Sequence, residues 1–372
     1  MTYNHFVVER PIKSKKADTG FIVATLLLLS IGLITLYFTT SYSGPRVADI
    51  VEKEKNVEVG ENVETSKKVE KKETFFGGQI KVLAISGIIC VIAAFINLDR
   101  IRKLVPAFVI IVLLLNLIVH IPNVGITRNG GTRWINLFFF DFQPSELAKI
   151  AIVFFLANLL DKKKELINNA KKTIIPALII LFTYVIVVVA QRDFATSMLI
   201  LAIGLVMLFV ANVSLKWYIG FFLFSIPVAL LFIFLEEYRV NRLIAFLNPE
   251  YDILGMNFQV NASKNAIANG GFWGQGMCIG LEKIKFIPEI QADYIFAGWV
   301  EAMGYIGVLC YFALLGFFSY KAFKIAIKCE DFYKSLLAFG CITIILIQSL
   351  MNCGVVCGFF PATGITLPFF SH

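Results

Sequence analysis

Residues 286 to 318 read Phe286-Ile-Pro-Glu-Ile-Gln-Ala-Asp293-Tyr-Ile-Phe-Ala-Gly-Trp-Val-Glu301-Ala-Met-Gly-Tyr-Ile-Gly-Val-Leu-Cys-Tyr-Phe-Ala-Leu-Leu-Gly-Phe-Phe318. A polar stretch beginning near residue 236 ends at Asp293, and the apolar run behind it exceeds the roughly 20 residues that a helix needs to cross about 30 Å of hydrocarbon. Asp293 therefore stands at the mouth of a membrane helix. Holding an ionisable group at the edge of a bilayer is costly, so its default reading is a functional site with a partner.

The same apolar pattern recurs along the chain, which is 58% hydrophobic with a mean hydropathy of +0.77. Candidate spans cover residues 20–41, 78–97, 104–121, 144–160, 173–190, 194–212, 217–235, 293–318 and 334–358. The expected fold is all-α: a polytopic helical membrane protein with nine visible transmembrane helices, forming one transmembrane domain over 20–372 behind a polar tail at 1–19. The first span is too long for a signal-peptide core and lacks a small-residue cleavage site, which makes it a retained helix.

Lysine and arginine placement orients the chain. The segment 42–77 carries eight Asp and Glu beside its seven basic residues, and long polar loops translocate largely regardless of charge. With that segment set aside, the N-terminal side holds 17 Lys and Arg against 8 opposite. The N-terminus is then cytoplasmic, and the 236–293 loop lies outside. The 42–77 insertion reads either as a solvated spacer or as a partner-docking element.

The net charge of +8 comes from basic residues that flank helices and are not interleaved with aromatics on a soluble face, so nucleic acid is not an expected partner. The seven cysteines (90, 278, 310, 329, 341, 353 and 357) lie mostly inside spans, where they act as small polarisable fillers.

Four junctions carry polar residues that simple spanning does not need: 128–149, 191–196, 239–293 and 361–371. All four fall on the outer side. The first holds Gly130-Gly131-Thr132-Arg133-Trp134 and Gln143-Pro144-Ser145-Glu146-Leu-Ala-Lys149. Pro144 suits a first helical position, and Glu146 and Lys149, three apart, share a face and can pair. That pair serves equally as an interfacial ion pair or as the lining of a polar cavity, and Trp134 equally as a headgroup-level anchor. The second junction is Gln191-Arg192-Asp193, which alone reads as an interfacial turn.

The third junction opens with Arg239 and Arg242, continues through Gln259 and Lys264 to Gly270-Gly271-Phe-Trp-Gly274-Gln-Gly276, and reaches Lys283, Lys285, Glu289 and Asp293. Two arginines three apart can present a fork to phosphate or carboxylate. The glycines allow close backbone approach or tight turns. Cations and carboxylates at one interface suit a lipid-linked phosphate substrate.

Taken together, these segments resemble the SEDS family (shape, elongation, division and sporulation), the FtsW and RodA group of cell-wall polymerases. The resemblance rests on Gly131, Arg133-Trp134 and Gln143-Pro-Ser-Glu-Leu-Ala-Lys149, then Asp193 and Thr196, then Arg239, Arg242 and Pro249. It continues with Gln259, Gly270-Gly271, Gly274 and Gly276; with Ile287-Pro-Glu289 through Asp293-Tyr-Ile-Phe-Ala, Glu301, Gly304 and Gly307; and with Pro361-Ala-Thr-Gly364-Ile-Thr-Leu-Pro368-Phe-Phe-Ser371. These motifs run in family order.

The resemblance implies a ten-helix membrane glycosyltransferase that polymerises lipid II into glycan strands at the outer face, working with a class B penicillin-binding transpeptidase and other divisome or elongasome membrane proteins. It implies that Asp293 is the catalytic base. Arg133, Trp134, Glu146 and Lys149 would line the adjoining cavity, Arg239 and Arg242 would flank the substrate groove, and Asp193, Gln259 and Glu289 would complete the substrate-binding set. Gly364-Ile-Thr-Leu-Pro368 resembles the division type more than the elongation type. The family's His-Thr before the aspartate is Gln291-Ala292 here, its Phe-Leu-Asp-Pro aspartate is Asn248, and its Gln-Pro-Asp-Leu-Gly turn is Gln191-Arg-Asp-Phe-Ala195. Where the family continues with a Gly/Ser run and a tenth helix, this sequence stops.

Such chemistry needs one base and some cations. An unperturbed aspartate titrates at about 3.9, so desolvation at the membrane edge is expected to raise Asp293 toward its task. Arginine, lysine or a divalent cation such as magnesium or manganese would stabilise charge on a departing pyrophosphate. A single displacement inverts the anomeric carbon. A lipid II flippase or related transporter is the competing expectation, because Glu146, Lys149 and Asp193 can equally line a translocation path; a scaffold is a weaker third.

Overall fold

The computed structural model describes residues 17–41, 75–122, 124–128, 131–136, 141–234, 237–248, 250–251, 257–277 and 291–371. The chain is helical as expected, with α1 (Thr19–Ser41), α2 (Phe75–Phe95), α3 (Leu98–Ile118), α4 (Pro144–Lys162), α5 (Ile175–Ala190), α6 (Phe194–Val210), α7 (Leu215–Phe234), α8 (Glu237–Leu247), α9 (Phe258–Gly270), α10 (Ile295–Ile327) and α11 (Phe332–Val356). Among the described residues six helices are long and apolar enough to cross a membrane. Helices suit this solvent because lipid offers no partners to backbone N–H and C=O groups. Their outward surface is apolar: Ile85, Ile88, Ile89 and Ile92 of α2 are each more than half exposed, an area that water would not tolerate but hydrocarbon does.

The chain divides into two compact units. The first comprises residues 1–23, 96–236 and 316–350. Its central helix is α4, where Ala148, Ala151, Ile152, Leu156, Ala157 and Leu160 are fully buried. Small residues allow that closeness. A Cβ on Gly340 of α11 would stand 2.4 Å from Val153 Cγ1, and one on Gly204 of α6 would stand 2.6 Å from Leu181 Cδ1 of α5. Buried polar groups are paired across helices: Tyr184 donates to the Val109 carbonyl at 2.5 Å, and Asn116 donates to Pro144 O at 3.2 Å.

Two details differ from the sequence expectation. The first junction forms a three-stranded antiparallel sheet, β1 (Gly125–Arg128), β2 (Gly131–Asn136) and β3 (Asp141–Phe142), in the order β1-β2-β3. Ile126 opposes Trp134 and Ile135 opposes Phe142, β-branched and aromatic pairs of the kind that stabilise strands. Secondly, α10 runs past residue 318 to Ile327. Ala322 and Ala326 there pack with Ile342 of α11, beside Phe21 and Phe323, so the added turns bury apolar surface and stay helical.

The second unit comprises residues 24–95, 237–315 and 351–372. Part of the long polar loop is helical, as α8 and α9. Behind α9, Gly271 (φ 54°), Gly274 (φ 84°) and Gly276 (φ 85°) take left-handed turns. This turn docks on a break in α10 at Gly304 (φ 62°, ψ −161°). Gln275 N–H donates to Glu301 O at 2.9 Å, Gly276 N–H to Ala302 O at 3.0 Å, and Tyr305 N–H to Gly271 O at 3.0 Å. A Cβ on Gly274 would lie 2.2 Å from Ala302 O, and one on Gly304 2.3 Å from Gly274 N. The glycine cluster thus lets one backbone approach another.

Candidate functional site

The residues singled out from sequence fall into two groups, one in each unit. In the first unit, Asp193 caps α6, accepting from Thr196 N–H at 3.2 Å. Only 4% exposed, its carboxylate also accepts from Gln143 Nε2 at 3.0 Å and faces Arg133 Nη1 at 3.9 Å. Arg133, on β2, donates through Nη2 to the Arg192 carbonyl at 2.5 Å, and Arg192 itself takes a left-handed turn, φ 61°. Within the Gln191-Arg-Asp turn, Asp193 binds groups from two other elements.

Gln143 Nε2 reaches Ser145 Oγ at 3.0 Å, leading into α4. One turn on, Lys149 is 2% exposed, and its Nζ donates to Glu146 Oε2 at 2.6 Å and Gln348 Oε1 at 2.8 Å. Glu146 itself is 48% exposed. A buried ammonium held by one carboxylate and one amide avoids the cost of an orphaned charge, and the half-exposed Glu146 is the accessible end of the pair. Trp134 is half-buried on β2.

In the second unit, Asp293 lies just before α10. Its backbone carbonyl accepts from Asn352 Nδ2 at 2.7 Å, and the same nitrogen donates to Ile365 O at 2.7 Å. Asn352 is 1% exposed. The segment 361–371 wraps this point. A Cβ on Gly364 would meet Asp293 Oδ2 at 3.5 Å. Ser371 Oγ donates to Ala292 O at 2.5 Å and accepts from Leu367 N–H at 2.7 Å. Arg242 Nη1 donates to Ala362 O at 2.8 Å. Both Asp293 and Arg242 lie close enough to the buried Tyr294 for their charges to act on its hydroxyl, in opposite senses.

Arg239 sits one turn before Arg242 on α8, and Gln259 lies in the first turn of α9, both half-buried. The stem of Lys264 lies against Gly358, where a Cβ would stand 2.2 Å from Lys264 Cε. Glu289 lies outside the described residues. Two amides went unnoticed in the sequence, Gln348 and Asn352, each buried and each bound to a candidate site residue. Their signal was present: polar side chains inside an otherwise apolar span are rare and need a stated purpose.

The profile of the FtsW/RodA/SpoVE family, described as cell cycle protein, matches residues 59–372. Stage V sporulation protein E of Bacillus subtilis is 33% identical over 363 residues, which cover 97% of this chain and 93% of that protein. A probable peptidoglycan glycosyltransferase FtsW from a Geobacter species is 35% identical over 256 residues, 69% of this chain and 70% of that one. Among solved structures, a chain of a peptidoglycan synthase complex that coordinates polymerization and crosslinking superposes with a TM-score of 0.74 at 23% identity, covering 96% of this chain and 92% of that one. The rod shape determining protein RodA of Thermus thermophilus gives 0.60 at 21%, over 95% and 89%. At these identities the structural likeness establishes the fold.

Proposed function

Because this chain belongs to the FtsW/RodA/SpoVE family of cell-wall polymerases, we propose that it is a peptidoglycan glycosyltransferase that polymerises lipid II at the outer face of the cytoplasmic membrane. Its N-terminus is cytoplasmic and its principal partner is a class B penicillin-binding transpeptidase. Gly364-Ile-Thr-Leu-Pro368 and the FtsW relatives favour a division role.

The observation that carries this reading is the bracing of Asp293. A general base must be held in place, since a misplacement of about 1 Å can cost roughly a hundredfold in rate. Here Asn352 and the Ser371–Ala292 hydrogen bond fix the backbone around the carboxylate, and Gly364 lies beside its Oδ2. Asp293 takes the proton from the acceptor sugar hydroxyl as that oxygen attacks the donor's anomeric carbon. The bond to the lipid pyrophosphate breaks in the same displacement, and the configuration inverts. Arg242 and Arg239 supply positive charge toward the departing pyrophosphate, while Glu146, Lys149, Arg133 and Asp193 shape a polar substrate-binding surface.

Among the described residues no three His, Cys, Asp or Glu side chains gather as a metal cage. A magnesium or manganese ion, where one takes part, would be held by a carboxylate such as Glu146 and would supply positive charge to stabilise the departing pyrophosphate.

The test supplies labelled lipid II to the purified full chain, alone and with a class B transpeptidase, and resolves the glycan products by length. Strands support the assignment. Movement of lipid II across a vesicle membrane without strand formation supports the transporter instead.

A further inference from the structure

The first unit contains a groove unrelated to the residues above. It is an open furrow lined by Ile174 and Leu178 of the segment leading through α5, Leu205 of α6, and Trp217, Tyr218 and Phe221 of α7. The lining is apolar. Its hydroxyl is already committed, since Tyr218 donates to Leu205 O at 3.1 Å. Ile175, Leu215 and Ile219 nearby are 44%, 65% and 69% exposed, which makes the surrounding surface lipid-compatible.

One end of this groove is cationic. Lys171 and Lys172 lie three and two residues before Ile174, Lys216 immediately precedes Trp217, and all three are exposed. The two connections that carry them are joined, because Ser214 N–H donates to Asn168 Oδ1 at 2.7 Å. Across 162–172 and 211–216 there are six lysines and one carboxylate, Glu165. An apolar slot between helices, ending in a cluster of ammonium groups, has the chemistry of an acyl chain below a phosphate. We propose that this groove binds an anionic membrane phospholipid, its acyl chain against Leu178, Leu205 and Trp217 and its headgroup between Lys171, Lys172 and Lys216. Basic pockets between transmembrane helices recognise anionic headgroups in this way. The site is independent of the proposed glycosyl transfer, and on the proposed orientation it opens to the cytoplasmic leaflet.

The test uses the full-length protein in nanodiscs of phosphatidylcholine doped with phospholipids brominated on the acyl chain, which quench tryptophan on contact. The Trp217 contribution is isolated by subtracting the Trp217→Phe variant. Brominated phosphatidylglycerol is expected to quench it at a mole fraction roughly tenfold lower than brominated phosphatidylcholine. The combined Lys171→Gln, Lys172→Gln and Lys216→Gln variant is expected to lose that preference while keeping the phosphatidylcholine quenching, which also reports an intact groove. Equal quenching by the two lipids in the wild type, a preference that survives the triple substitution, or no quenching by either would overturn the proposal.

Discussion

Asn352 holds Asp293 through the backbone: one amide nitrogen donates to the Asp293 carbonyl and to the Ile365 carbonyl, each at 2.7 Å. The backbone that carries the carboxylate proposed as the base is thereby tied to the segment 361–371. Asn352 is a positioning residue.

Replacing Asn352 by Ala removes its hydrogen bonds to one buried and one part-buried carbonyl, at a cost of up to about 1–3 kcal/mol each. Polymerisation kinetics should show kcat lowered roughly 10- to 100-fold with KM little changed, because no substrate contact is removed. A parallel rise in KM with unchanged kcat would argue against the positioning role.

Arg242→Lys keeps the charge but shortens the reach to Ala362 O, now spanned at 2.8 Å. Arg242→Ala removes both. If the arginine serves mainly as a tether, both variants lose activity alike; if its charge stabilises the departing pyrophosphate, Lys retains a substantial fraction and Ala falls roughly 100-fold. The account predicts the second pattern, read from strand yield per enzyme.

Gly304→Ala places a Cβ in a left-handed position 2.3 Å from Gly274 N. Strain of this kind costs about 1–3 kcal/mol, before the displacement of the 271–276 turn is added. Thermal unfolding in detergent should shift clearly downward, whereas Gly316→Ala on the same helix, where a Cβ meets open space, should leave it unchanged.

Glu146→Gln leaves the buried Lys149 ammonium with neutral amide acceptors and without its counter-charge, and unpaired buried charge costs about 3–5 kcal/mol. The half-exposed carboxylate and access to solvent soften that figure here. Adding Lys149→Met should recover stability in melting experiments. Activity should stay low in the double variant if the pair contacts substrate, and return with stability if its role is packing alone.

Two carboxylates outside the spans give a pH dependence. The Phe21 backbone N–H holds Asp18 below the usual carboxylate range, with Lys321 assisting. For Asp331 burial pulls upward, but the hydrogen bonds from Lys334 prevail and hold it low as well. Groups with lowered folded-state values add stability that is complete above their unfolded pKa, about 3.9, and lost as pH falls through the folded value. Hydrogen exchange at the start of α1 and α11 should therefore accelerate below about pH 4, and Asp18→Asn should remove the effect at α1 alone.

Much of the fold was legible because lipid leaves little choice. Apolar runs of helical length, cut by Lys-rich turns, must be helices, and α1, α4 and α11 lie close to their expected spans. The sheet at 125–142 was missed because its strands are four, six and two residues long, too short for alternation to register against neighbouring apolar sequence. The continuation of α10 to Ile327 was hidden by Lys321 and Lys324, which marked an end that packing of Ala322 and Ala326 overrode. At the site, the Glu146–Lys149 pair follows from helical spacing. The links from Asn352 to Asp293 and from Arg242 to Ala362 join residues 59 and 120 positions apart, and no local pattern announces them.

The central claim is that the Asp293 carboxylate is the base for glycan extension. The most direct measurement compares wild type with Asp293→Asn, an isosteric change that keeps the backbone bond to Asn352, for both lipid II binding and strand formation. The account predicts binding within a few-fold of wild type and polymerisation reduced by roughly 100-fold or more. Strands formed by Asp293→Asn at a rate near that of wild type would contradict it.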